Sequence, residues 1–115
     1  MAPSPAPLSD KERLDRLRLI RTENVGPVTF RSLLRRFGSA RAAIEALPEL
    51  ARRGGRSAPL RVGTVAQAEQ ELRAADRIGA RLLASDDPDY PEPLAAIDDA
   101  PPLLYMRGDL ALLRR

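Results

Sequence analysis

Val25-Gly26-Pro27-Val28-Thr29, with Arg31 and Arg35 following, combines a glycine-proline turn, the start of a helix and two guanidinium groups. Proline suits a first helical position because its missing N–H would go unpaired there, and the remaining free N–H groups, aided by the helix dipole, attract an anion. Arg31 and Arg35, one turn apart, would back such a site, since their planar forks match phosphate oxygens. The chemistry implied is phosphate binding without bond making. A plain turn joining two helices, with the arginines as a solvated face, accounts for the same residues. A second cluster, Asp86, Asp87, Asp89, Asp98 and Asp99, offers oxygen ligands of the kind Mg²⁺ or Ca²⁺ takes, but lacks the spacing of a calcium loop. Aspartates preceding Pro88, Pro91 and Pro101 read instead as turn formers and helix caps. No metal site and no cofactor are expected.

Catalysis has few candidates. The 115 residues include no cysteine and no histidine, which excludes disulfides, zinc-thiolate sites, thiol nucleophiles and the usual proton shuttle. An enzyme in its own right is not expected. Residues 1–7 hold three prolines but no basic start and no apolar run, so they read as a disordered tail rather than a signal peptide. No stretch approaches the length of a membrane span, and a cytoplasmic location follows as the expectation.

The net charge of +3 hides an uneven distribution: residues 1–61 carry 13 basic and 6 acidic side chains, and residues 62–115 carry 6 and 10. The halves are therefore +7 and −4, and a basic half beside an acidic one implies either a polyanion partner or a contact between the two parts.

Helical signals dominate the first 79 residues. Ser9-Asp10-Lys11-Glu12 predicts a capping box, and Leu14, Leu17 and Ile20 carry that helix to about Thr22. Asn24 to Pro27 breaks it. A second helix, about Val28 to Phe37, sets Phe30, Leu33, Leu34 and Phe37 on one face, with both rings in the core, and stops at Gly38. Phe37→Ala is expected to cost about 3 to 5 kcal/mol. Ser39 caps a third helix with Ala43, Ile44 and Leu47 inward, and Pro48 is expected to end it in a turn closing at Gly54-Gly55. Residues 56–63 read as an exposed connection and a boundary. Thr64 to Gln67 predicts a capping box for a fourth helix, with Val65, Ala68, Leu72, Ala75 and Ile78 on one face up to Gly79. Apolar runs at Arg81 to Ala84 and Leu103 to Met106 have strand length. Between them Pro91 opens a short helix with Leu94 and Ile97 inward, and the order strand, helix, strand predicts a parallel pair with a right-handed crossover.

The last quarter is the most specific. Asp86-Asp87-Pro88-Asp89-Tyr90-Pro91-Glu92-Pro93-Leu94, then Pro101-Pro102-Leu103-Leu104-Tyr105-Met106-Arg107-Gly108-Asp109, packs five prolines and both tyrosines into a small span. The run resembles a signature of the DprA (Smf) family, and Val25-Gly26-Pro27, Leu33 to Ser39 and Ala43 to Leu47 resemble that family's N-terminal domain, which is similar to SAM and helix-hairpin-helix modules. Asn24 departs from the glycine such hairpins favour. Asparagine tolerates the same backbone region. The resemblance implies a mainly α chain: a disordered tail at 1–7, a SAM/helix-hairpin-helix-like bundle at 8–63, and at 64–115 a helix with a strand-helix-strand segment that would join the edge of a Rossmann-type sheet. It casts the chain as the N-terminal portion of a protein that binds and protects single-stranded DNA and loads RecA in natural transformation, with RecA contacts and homodimerisation assigned mainly to the further domain. No membrane partner is implied. Tyr90 and Tyr105 would pack between the early strands and the sheet, and Gly108-Asp109 would have a structural role. Two alternatives stand beside this: a SAM-like protein-docking module without DNA binding, and the leader of a nucleotide-cleaving Rossmann-type enzyme.

Overall fold

The computed structural model describes residues 8–95 and 100–107; the tail 1–7, Ile97, Asp98, Asp99 and Gly108-Asp109 fall outside the described residues. The elements run α1 (Asp10–Ile20), α2 (Pro27–Phe37), α3 (Ala40–Arg53), α4 (Val65–Arg77), β1 (Ala80–Ala84), α5 (Glu92–Ala95) and β2 (Leu103–Arg107). Polar caps set most of the helix starts. The Ser9 hydroxyl accepts from Glu12 N–H, Ser39 from Ala42 N–H, and Thr64 with Gln67 forms a complete capping box. At Ser9 only half of the expected box forms. Glu12 pairs with Arg16 Nε at 3.0 Å instead, the favourable order for a carboxylate four residues before a cation. Gly38 and Gly79 take φ of 81° and 74°, the left-handed conformation that ends a helix without steric cost.

One helix serves two cores. Leu19 joins Phe30, Leu33, Ala40, Ala43, Ile44 and Leu47 in the larger cluster, while Leu17 packs with Ala68 and Leu82 in the smaller. Residues two apart on a helix point in nearly opposite directions, so α1 forms a wall between the α2–α3 layer and the α4–sheet layer. Reading Leu14, Leu17 and Ile20 as a single stripe overlooks Leu19, because a helix buried on two sides has no single apolar face. Within α2, Phe30 is the ring that is fully buried, whereas Phe37 is half-buried with the Arg36 guanidinium 5.1 Å from its centroid. The cavity cost expected for Phe37 therefore attaches to Phe30.

Three expectations are corrected. Helix α3 runs through Pro48 to Arg53 rather than ending there. Pro48 lies on the exposed side, and Leu47 and Leu50 on the core side hold the backbone helical across the lost hydrogen bond. Residues 56–63 are not simply an exposed connection: Leu60 and Val62 pack on the larger core, Glu23 N–H donates to Arg61 O, and Gly63 is buried against α1. A Cβ at Gly63 would lie 2.3 Å from the Arg18 carbonyl oxygen, so only glycine fits this approach. The strands pair antiparallel, not parallel, in the register Ala80↔Arg107 to Ala84↔Leu103. A parallel pair needs the connection to carry the chain back about 17 Å along the strand, whereas here the chain turns at the end of β1, with Asp87 N–H on Ala84 O and Tyr90 N–H on Asp87 O, and stays there. Ser85 N–H donates to Pro102 O, so the chain enters β2 at the end where β1 leaves.

The rest of the fourth helix's expected face is partly uncovered. Ala68 is buried and Leu72 packs on the smaller core, but Val65 and Ile78, at its two ends, are 41% and 57% exposed.

Candidate nucleic-acid interface

The turn from α1 to α2 is built from local bonds. Thr22 N–H donates to Leu19 O, Val25 N–H to Thr22 O, and Asn24 takes φ 66°, the left-handed conformation its short polar side chain tolerates. Gly26 is extended at the N-cap, its carbonyl accepts from Phe30 N–H at 2.8 Å, and Pro27 occupies the first helical position. No side chain caps this end. Helix α2 contains no carboxylate, so its positive N-terminus and Arg31, Arg35 and Arg36 have no opposing charge on their own helix.

The expected site residues divide between two sides of that helix end. Val25 and Thr29 line a hollow toward α3 with Leu47 and Arg56, and Val25 packs on the larger core. Val28, Arg31 and Arg35 line a groove of about 530 Å³ on the other side, facing the turn after β1. Gly26 and Pro27 are exposed at the divide. Arg31 is half-buried and its Nε donates back to the Pro27 carbonyl, whereas Arg35 is exposed. Among the described residues neither Arg35 nor Arg36 has a carboxylate within ion-pair distance. Sequence reasoning missed two members of the groove, Arg16 and Asp86, which lie 70 positions apart and which no local spacing connects.

The cations of α1 have a different fate. Arg13 reaches Asp87 at 2.7 Å, Arg16 holds Asp86 and Glu12, Lys11 and Arg18 flank the buried Asp15, and Arg21, just past the helix, grips Glu71. Asp87 also accepts from Ala84 N–H at 2.9 Å, which fixes the turn after β1. Burial pushes the Glu71 carboxyl up, but hydrogen bonds from Arg21 and Tyr105 outweigh this and hold it below the usual carboxylate range. Burial, then the bond to Glu71, raises the Tyr105 phenol. Glu23 is held low by the Arg61 backbone N–H and by Arg56.

The rings offer no stacking surface among the described residues. Phe30 is buried, Phe37 lies under Arg36, Tyr90 is buried with its hydroxyl on Pro101 O, and Tyr105 is tied to Glu71. What remains for a ligand is positive charge and backbone donors at the start of α2.

Two helices joined by a tight turn with a left-handed asparagine, the second opened by Gly-Pro and closed against a third, define a module of the helix-hairpin-helix class. Residues 10–74 match the DprA-like N-terminal HHH domain, more than half of the chain, and the chain belongs to that family. The match covers α1, α2, α3 and most of α4, and it supports a DprA-like role in DNA processing. Among curated proteins none matches the chain. No described helix is long and apolar enough to cross a membrane.

Proposed function

We propose that this chain is an accessory DNA-contacting domain of a cytoplasmic DNA-processing protein, one that binds and protects single-stranded DNA and hands it to RecA. Its own part is a grip on backbone phosphate at the start of α2, made by the Val28 and Thr29 end of the helix with Arg31 and Arg35. The observation that carries this is the contrast in charge partners: α1 spends its cations on carboxylates of the same chain, while Arg35 and Arg36 of α2 are exposed with no carboxylate within ion-pair distance among the described residues. With no histidine or cysteine in the sequence, we assign the domain no covalent chemistry. With no ring available for stacking, binding would rest on phosphate charge and would fall steeply with salt.

Fluorescence anisotropy of labelled single-stranded and duplex DNA, titrated with the chain at two salt concentrations, tests the reading. Salt-dependent binding that weakens in the Arg31→Ala, Arg35→Ala double variant is the expected result. Val28, 75% exposed beside the groove, favours a second reading, protein docking through α2 in the manner of a SAM module. A folded chain that binds no DNA at low salt would leave that reading standing and sink the first.

A further inference from the structure

Asp86 and Asp87 are neighbours with opposite situations. The Asp87 side chain is 2% exposed, bonds Arg13 and caps the end of β1, so it holds the turn. The Asp86 side chain is 58% exposed, and among the described residues its bonds are to the Arg16 guanidinium alone, which it meets in a fork: Nη1 to Oδ1 at 2.6 Å and Nη2 to Oδ2 at 3.1 Å. Arg16 itself is well placed to receive an anion. Its side chain is 11% exposed and Glu12 holds its Nε at 3.0 Å, so the outer edge of the fork is oriented before anything binds. That edge opens on the groove that also contains Arg31 and Arg35, over a floor of Phe30 and Leu34.

A phosphodiester presents two oxygens to an arginine fork in the geometry a carboxylate uses. We propose that Asp86 is a resident phosphate mimic: it covers a third anion subsite of the groove, on Arg16, which a phosphate of single-stranded DNA takes by displacing the carboxylate. The inference rests on the reading of α2 as a phosphate-binding face and adds to it a residue from α1 and a contact that restrains binding. Displacement costs little because the phosphate takes the place of the carboxylate, so the Arg16 guanidinium is not left unpaired, because Asp86 is 58% exposed and passes to solvent, and because Asp87 and Arg13 keep the turn in place when Asp86 is released. Weak or short anions would lose the competition with Asp86, whereas a strand already held at Arg31 and Arg35 would win it through its high local concentration.

The test is a two-by-two set of variants, wild type, Asp86→Asn, Arg16→Gln and the double variant, each titrated against labelled oligo-dT across a salt series, with circular dichroism to confirm the fold. Asp86→Asn is expected to tighten binding several-fold and to steepen the dependence of log affinity on log salt by about 0.7, the value for one added phosphate contact on a single strand. In the Arg16→Gln background the same change is expected to do nothing. An equal gain in both backgrounds would mark a general charge effect and overturn the inference, as would no gain at all. If Asp86→Asn is neutral while Arg31→Ala with Arg35→Ala abolishes binding, the α2 site stands and the mimic falls. If no member of the set binds, both fall. Asp86→Ser serves as a second variant should the asparagine disturb the turn.

Discussion

Helices α1 and α2 follow one another, have 11 residues each and are both rich in arginine, yet they use it in opposite ways. On α1 the guanidinium groups reach across the molecule: Arg13 to Asp87, Arg16 to Asp86 and, just beyond the helix, Arg21 to Glu71. Each of these pairs joins the basic half of the sequence to the acidic half. Part of the charge imbalance seen in the sequence is therefore an intramolecular contact, and counting charges along the chain overstates what is free for a polyanion. On α2, Arg35 and Arg36 face outward from a helix without carboxylates. Arginine identity does not assign a role; the partner does, and the partner is set by which surfaces the fold brings together.

That contrast can be broken most severely at Arg13. Arg13→Ala leaves Asp87 buried without its cation, though still bonded to Ala84 N–H, and is expected to destabilise by about 3 kcal/mol, read as a lowered urea midpoint. A midpoint unchanged within error would show that the α1 pairs are ornamental and that the two helices are alike. Next in size is Gly63→Ala. The added methyl meets the Arg18 carbonyl on the side of α1 that docks the 56–63 segment, for an expected loss of about 1 to 3 kcal/mol and a lowered Tm.

Smaller still is the response to acid. Glu71 and Glu23 are held below the ordinary carboxylate value of 4.5, so the folded state binds fewer protons than the unfolded state just below that value. Their contribution is present above pH 4.5 and is lost as pH falls through the lowered folded values. Tyr105 runs the other way. Its raised phenol favours the fold below the ordinary value of 10.0, and that contribution is lost as pH rises further. Thermal melts from pH 3 to 7 should show Tm rising with pH, and Glu71→Gln should flatten the rise.

The smallest effect on stability belongs to α2. Arg35→Ala, at an exposed position, is expected to shift stability by about 0.5 kcal/mol or less, while reducing the salt slope for single-stranded DNA by about 0.7, one phosphate contact's worth. A large loss of stability with an unchanged slope would reverse the comparison and place α2 with α1 as a structural element.

Much of the helical part was legible because its signals act over a few residues. Ser39, Thr64, Gly38 and Gly79 each cap or close a helix where the spacing predicts, and Asn24 to Pro27 makes the turn at the position the residues demand. Pro48 misled because its penalty is local and modest, and packing of Leu47 and Leu50 overrode it. Gly63 carried no signal: a glycine in a polar stretch reads as a loop, and the close approach that requires it comes from a helix 45 residues earlier. The candidate site was half legible. Val25 to Thr29, Arg31 and Arg35 were marked as candidates by turn chemistry and helical spacing, but that they divide between two sides of α2, and that Arg16 and Asp86 line the same groove as Arg31 and Arg35, was not legible.

By itself the sequence determined the helices, their caps, the hairpin turn and the family, since these rest on backbone preferences and spacing within a turn or two. Only the tertiary structure decided that α1 is buried on two sides, that the strands run antiparallel, and which arginines are neutralised. Those outcomes depend on contacts between residues as far apart as Arg13 and Asp87, 74 positions, and such contacts are chosen by the packing of whole elements rather than by any local preference.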